Sequence, residues 1–181
     1  MIGRSRRSFR CCSITAELFT VTIFKRSNAG VRLRLSKPIL IGFIGLGVVG
    51  VIWPLIYPSA WLAPVIWLSF IFLVDPINAL RGWPSIAGDL SRGDWRRLWS
   101  LLAAGLVCGF LWEFFNYWAI AKWTYTVPYL GNVKIFEMPV LGFLGFPPFA
   151  VECWVIYILV RSFLQPAVRE TESAEIFVRA A

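Results

Sequence analysis

From Pro38 to Tyr57 the chain reads PILIGFIGLGVVGVIWPLIY, without one charged side chain. About 20 apolar residues, at ~1.5 Å each along a helix, cross a hydrocarbon core of roughly 30 Å. In lipid the backbone must satisfy its own hydrogen bonds, so a run of this length is predicted to be a membrane-spanning helix. Gly42, Gly45, Gly47 and Gly50 allow a neighbouring helix to approach closely. Pro54 lies near the end of the run, between Trp53 and Tyr57, aromatic residues of the kind that mark the membrane–water interface.

The rest of the chain agrees with this solvent. Hydrophobic residues make up 58% of its 181 residues and charged residues 15%, where soluble domains carry about 25% charged. A formal charge of +8 does not indicate nucleic acid, because the basic residues flank apolar runs and form no stripe among polar neighbours. A second run covers Trp61–Val74, and Asp75-Pro76 after it reads as the N-cap and first residue of a short interfacial helix. Residues 81–97 are rich in turn formers and read as a loop with a short amphipathic piece. A third run extends from about Leu98 to Trp118. A fourth, Met138–Leu164, is interrupted by Gly142, Gly145, Pro147 and Pro148. Tandem prolines break a helix interior but suit a helix start. Pro139–Phe146 is therefore predicted to be re-entrant or irregular and Pro147–Phe163 to be the spanning helix.

The expected fold is an all-α integral membrane bundle of about four transmembrane helices, the last with a re-entrant or Pro-broken start. Residues 38–164 form the transmembrane domain. A basic tail, 1–37, is expected to be disordered or surface-associated, and 165–181 to be a flexible tail. Sixteen Lys and Arg residues fall in the first tail, the 81–97 loop and the chain end, and only Lys122 and Lys134 fall in the alternate connections. The positive-inside rule then places both termini on the cytoplasmic side.

Against this apolar background, residues 105–153 stand out by holding Glu113, Asn116, Lys122, Glu137 and Glu152 among aromatics. A charge at the centre of a bilayer costs about 2.5–3.5 kcal/mol on insertion scales, so such residues turn towards protein or a site. Gly105 and Gly109 form a GxxxG, with Glu113 one turn on and Asn116 three residues further. Steps of three and four share one helix face, which sets the acid against a neighbouring helix. The charge bias puts Glu113, Glu137 and Glu152 in the same outer half of the membrane, where they are expected to converge. There are four Cys and no His, which leaves carboxylates as the acid–base groups, with neither metal nor cofactor expected. The candidate catalytic residues are Glu113 and Glu152. Asn116, Lys122, Trp123, Tyr125 and Glu137 are the candidate substrate-binding residues.

Three functions fit this pattern. In the first, an intramembrane enzyme uses a buried carboxylic acid to protonate a lipophilic substrate, and the aromatic faces of Trp112, Phe114, Trp123 and Tyr125 stabilise the cation. In the second, the acids serve a proton- or ion-coupled transport element beside broken-helix backbone. In the third they are structural: Glu113 pairs with Lys122, Glu137 caps a helix, and Glu152 bonds to Asn116 or backbone. Expected partners are the lipid bilayer, a lipophilic small molecule and a second copy docked on the Gly105/Gly109 face, with no nucleic acid.

The run WEFFNYWAIAKWTYTVPY, followed by KIFEMPVLGFLGFPPFAVEC, resembles a family of bacterial polytopic membrane proteins with no established activity. The likeness covers the middle and last third of the chain. More loosely, the order of intramembrane acids, aromatic connections and a Pro-flanked acid is similar to membrane carotenoid-modifying enzymes such as lycopene cyclases and hydratases. That likeness implies isoprenoid-like lipids as the first substrate class to test.

Overall fold

The computed structural model describes residues 30–125 and 133–164. Residues 1–29 of the expected 1–37 tail, the expected tail 165–181, and the turn at Pro128 and Gly131-Asn132 lie outside the described residues. Helix α1 spans Lys37–Ile56. A single turn at Ala60–Leu62 leads into α2, Ala63–Leu80. A short helix α3, Ile86–Arg92, precedes α4, Arg96–Trp118. Two short strands follow, β1 (Lys134–Ile135) and β2 (Met138–Pro139). A 3-10 turn, Val140–Gly145, then runs into α5, Phe146–Leu164.

This is a multi-pass, largely helical membrane protein. Three segments are long and apolar enough to cross a bilayer: Lys37–Ile56, Arg96–Trp118 and Val140–Leu164. The expectation of four spans meets a shorter apolar helix at Pro64–Leu80, which at ~1.5 Å per residue reaches about 26 Å. Large apolar side chains such as Ile41, Val49, Leu55, Leu106 and Phe115 are exposed on the outer faces. On a water-soluble monomer they would form unusually extensive patches, whereas in lipid they are solvated.

Helix α5 is central. It packs against both α2 and α4, and α1 packs on α2 from outside. Val74, Ile86, Leu101, Ala104, Val151 and Val155 form the buried core. Glycines set the closest approaches. A Cβ on Gly47 would lie 2.6 Å from the Leu73 backbone nitrogen, and one on Gly105 would lie 2.5 Å from the Phe146 carbonyl oxygen. The Gly105/Gly109 face is thus filled by α5 of the same chain. It is not free for a second copy, contrary to the expectation of an oligomer interface there.

The break expected at Asp75-Pro76 is absent, since α2 runs through both residues to Leu80. Pro76 removes one helical hydrogen bond, a defect of ~3 kcal/mol in an isolated helix. Two long-range ties hold this turn in place. Asp75 accepts hydrogen bonds from the Ile86 and Ala87 amides at 2.7 and 2.8 Å. Asn78 Nδ2 donates to the Val155 carbonyl at 3.0 Å. Asp75 does cap a helix, but the helix is α3, reached across a loop.

Helix α3 is the short amphipathic piece expected in the 81–97 loop. Ser85 accepts from the Gly88 amide at its start, and Gly93 closes it in the left-handed region at φ 79°. Asp89 receives both Arg92 and Arg97, yet its burial outweighs them and raises its pKa. The Arg96 guanidinium holds the more exposed Asp94 down at about 2. Residues 30–36 lie extended beside α3, with the Leu33 amide donating to the Leu90 carbonyl and Trp95 Nε1 to the Val31 carbonyl.

Candidate buried acid site

Helix α4 delivers Glu113 and Asn116 on its buried face, in line with Gly105 and Gly109. Glu113 is fully buried. Its partners come from the stretch just after the helix. The Tyr125 hydroxyl donates to Glu113 Oε1 at 2.7 Å, while Asn116 Nδ2 approaches Oε2 at 3.5 Å. Asn116 also closes a two-way clasp with Trp123. Its Nδ2 donates to the Trp123 carbonyl at 2.9 Å, and its Oδ1 accepts the Trp123 amide at 2.7 Å. The clasp fixes the turn after α4, and that turn places Tyr125 over the acid. Burial first, and then the carboxylate beside it, push the Tyr125 phenol above its ordinary range.

Trp123 therefore enters the site through its backbone, and its side chain stays exposed. Trp112 and Phe114 flank Glu113 in sequence and are 57% and 40% exposed, and the Trp112 side chain hydrogen-bonds Tyr125. Of the four aromatics expected beside Glu113, Tyr125 meets the carboxyl, through its hydroxyl and not its ring face.

A hairpin closes the neighbouring surface. Lys134 pairs with Pro139 and Ile135 with Met138, which leaves Phe136 and Glu137 at the turn. Phe136 sits at φ 58°, a costly conformation for a bulky residue. Its ring lies 5.5, 6.0 and 5.7 Å from those of Phe110, Phe114 and Tyr117, contacts that favour holding it there. Sequence reasoning did not single out Phe136, because a positive φ at Phe has no compositional signature. Glu137 reaches Lys122 and raises the pKa of that ammonium. Lys122 also lies 5.3 Å from the Tyr117 ring. The pairing of Glu113 with Lys122 is thus replaced by Lys122 with Glu137.

Glu152 is elsewhere. Gly105 meets Phe146, Pro147 and Ala150, while Gly109 meets only the Phe146 ring among its nearest neighbours. Moving up α4 thus moves towards the start of α5, so the two helices are antiparallel. Glu152 lies six residues into α5 from Phe146, and Glu113 lies four residues beyond Gly109 in the opposite direction. At ~1.5 Å per residue the two acids are about 15 Å apart along the bundle, too far for a hydrogen-bonded or single-water pair. The expected convergence of Glu113 with Glu152 is not formed.

Glu152 instead shares a stretch of α5 with Val155, where Asn78 docks from α2. Glu152 Oε2 and Asn78 Oδ1 are buried, and neither has a hydrogen-bond partner among the described residues. Asn116, proposed as an alternative partner for Glu152, is committed to Trp123. Among the described residues no group of three His, Cys, Asp or Glu side chains could hold a metal ion.

An apolar groove of about 370 Å³ lies against α4, lined by Leu106, Val107, Phe110, Leu111 and Phe143. Phe110 is three residues from Glu113, on the adjoining face. No family model, curated protein or solved structure matches the chain.

Proposed function

We propose that the protein is an intramembrane acid–base enzyme acting on a lipophilic, isoprenoid-like substrate, with Glu113 as the acid and Tyr125 as its positioning partner. The observation behind this reading is the 2.7 Å hydrogen bond from a phenol to a fully buried carboxyl, next to a groove with apolar walls. In the proposed step the Glu113 O–H bond breaks and a C–H bond forms at one carbon of an isolated double bond. The cation left on the other carbon then loses a neighbouring proton to the carboxylate, which restores the acid. The net change is a shifted double bond, with no oxidant consumed. Substrate seated along Phe110 reaches Glu113 when the 119–125 cover lifts. The charge bias supports cytoplasmic termini, and the resemblance to bacterial polytopic membrane proteins supports a bacterial inner-membrane location.

The test is expression in a host that makes linear isoprenoids, followed by mass spectrometry of its lipids. A new isomer present with the native chain and absent with Glu113→Gln is expected. Identical profiles for both chains would remove the proposal.

A second reading is favoured by how completely Glu113 is covered. Both of its oxygens face donors, and this suits a structural pin between α4 and the segment after it. On that reading Glu113→Gln lowers stability and leaves any cellular phenotype intact.

A further inference from the structure

The stretch before α1 has a pattern that the acid site does not use. Residues 30–36 are pinned in an extended form by the Gly30 and Leu33 amides, which donate to the Gly93 and Leu90 carbonyls, and by Trp95 Nε1, which donates to the Val31 carbonyl. Side chains alternate along an extended chain. Leu33 and Leu35 accordingly turn partly inward, while Arg32, Arg34 and Ser36 are exposed. The stem of Arg32 is fixed against Gly93, whose added Cβ would lie 3.1 Å from Arg32 Cγ. A groove of about 670 Å³ opens here, lined by Arg32, Leu33, Arg34, Leu35, Ser36 and Ser91.

The charges in this groove are uncompensated. Asp89 is taken by Arg92 and Arg97, and Asp94 by Arg96. Among the described residues neither Arg32 nor Arg34 has an acidic partner. Lys37, directly after the groove, opens a membrane-spanning helix. The groove therefore lies where lipid headgroups lie.

We infer that the Arg32–Ser36 groove binds the phosphodiester headgroup of an anionic glycerophospholipid. Guanidinium groups match phosphate oxygens in two-point geometry. Ser36 supplies a hydroxyl donor beside them, and the Ser91 hydroxyl, which donates to the Gly88 carbonyl at 2.8 Å, lines the edge. The apolar floor of Leu33 and Leu35 accepts the glycerol and the first methylenes of the acyl chains. A soluble anion would use the arginines but leave that floor wet. Basic residues at a membrane surface attract anionic lipid additively.

The test uses the full-length protein in detergent, titrated with phosphatidylglycerol, with phosphatidylcholine of the same acyl chains, and with glycerol 3-phosphate, and read by native mass spectrometry. Phosphatidylglycerol is expected to be retained about tenfold or more over phosphatidylcholine, with glycerol 3-phosphate failing to displace it at equal concentration. Arg32→Gln with Arg34→Gln is expected to abolish the preference. Lys134→Gln with Arg161→Gln removes the same charge elsewhere and is expected to leave binding within about twofold. Equal losses in the two double variants would show diffuse charge attraction and overturn the site. Equal retention of the two lipids would do the same, and efficient displacement by glycerol 3-phosphate would assign the groove to a soluble anion. If the Gln pair fails to fold, Arg32→Lys with Arg34→Lys keeps the charge and loses the two-point geometry. A measurable fall in retention supports the site, and unchanged retention overturns it.

Discussion

Tyr125 and Glu113 are twelve residues apart in sequence and joined by a 2.7 Å hydrogen bond. Their meeting depends on the Asn116–Trp123 clasp, which turns the chain back on the end of α4. A typical intramolecular hydrogen bond contributes about 0.5–1.5 kcal/mol. Tyr125→Phe is expected to destabilise the protein by about that amount in detergent unfolding. In a double-mutant cycle with Glu113→Gln, most of this should disappear as coupling. Strictly additive losses would mean that the contact carries no net energy.

Asn116→Ala should act differently. It breaks the clasp on both sides and releases Tyr125 as well, so its cost should exceed that of Tyr125→Phe, at about 2–4 kcal/mol. Amide hydrogen exchange at Trp123 gives a local readout, with protection expected to fall sharply. Unchanged protection at Trp123 would contradict the geometry.

The orphaned oxygens at the other end of the bundle lead to an opposite sign. Replacing a buried unsatisfied acceptor by an apolar group of similar shape is neutral or stabilising. Glu152→Met is expected to raise the midpoint of thermal unfolding by about 2–4 °C, the shift that ~1 kcal/mol produces in a chain of this size. A marked fall would show that Glu152 has a stabilising partner.

Close helix approach can be tested with glycines. Gly105→Ala pushes a methyl against the Phe146 backbone and should cost about 1–3 kcal/mol through overpacking. Gly42 has nothing within 4 Å of an added Cβ, so Gly42→Ala should be neutral or slightly favourable through helix propensity. Equal effects at the two positions would refute the described packing.

Acid sensitivity has one identified contributor. Asp94 is lowered from 3.8 to about 2, chiefly by its hydrogen bond from Arg96. A depressed carboxylate stabilises the fold above its unfolded value and loses that contribution as pH falls through the folded value. Unfolding between pH 4 and pH 2 should therefore be less pH-dependent in Asp94→Asn. An identical slope in both proteins would discount the ion pair.

Length and polarity made α1 and α4 legible, and the tandem prolines marked the start of α5 to within a residue or two. The step from Gly105 through Gly109 and Glu113 to Asn116 was equally readable, since one helical period determines a shared face. Other features depend on distant contacts. Asp75-Pro76 has the local form of a helix start, but ties to Ile86, Ala87 and Val155 carry α2 through it. The separation of Glu113 from Glu152 comes from the register between α4 and α5, which neither helix encodes alone. The hairpin that presents Phe136 and Glu137 rests on two residue pairs and a strained turn, too short for any periodic signal.

The grip of Asp75 on the amides of Ile86 and Ala87 bears on how this protein is made. When α2 first emerges from the ribosome, its buried acid has no donors, because the Ile86 and Ala87 amides still lie inside the exit tunnel behind it. The helix is short, interrupted by a proline, and becomes fully satisfied only when α3 folds back against it. Its integration should therefore lag behind that of α1 and proceed in one event with the segment that follows. Chains truncated before Ile86 should integrate α2 poorly, and chains extended past Arg92 should integrate it well.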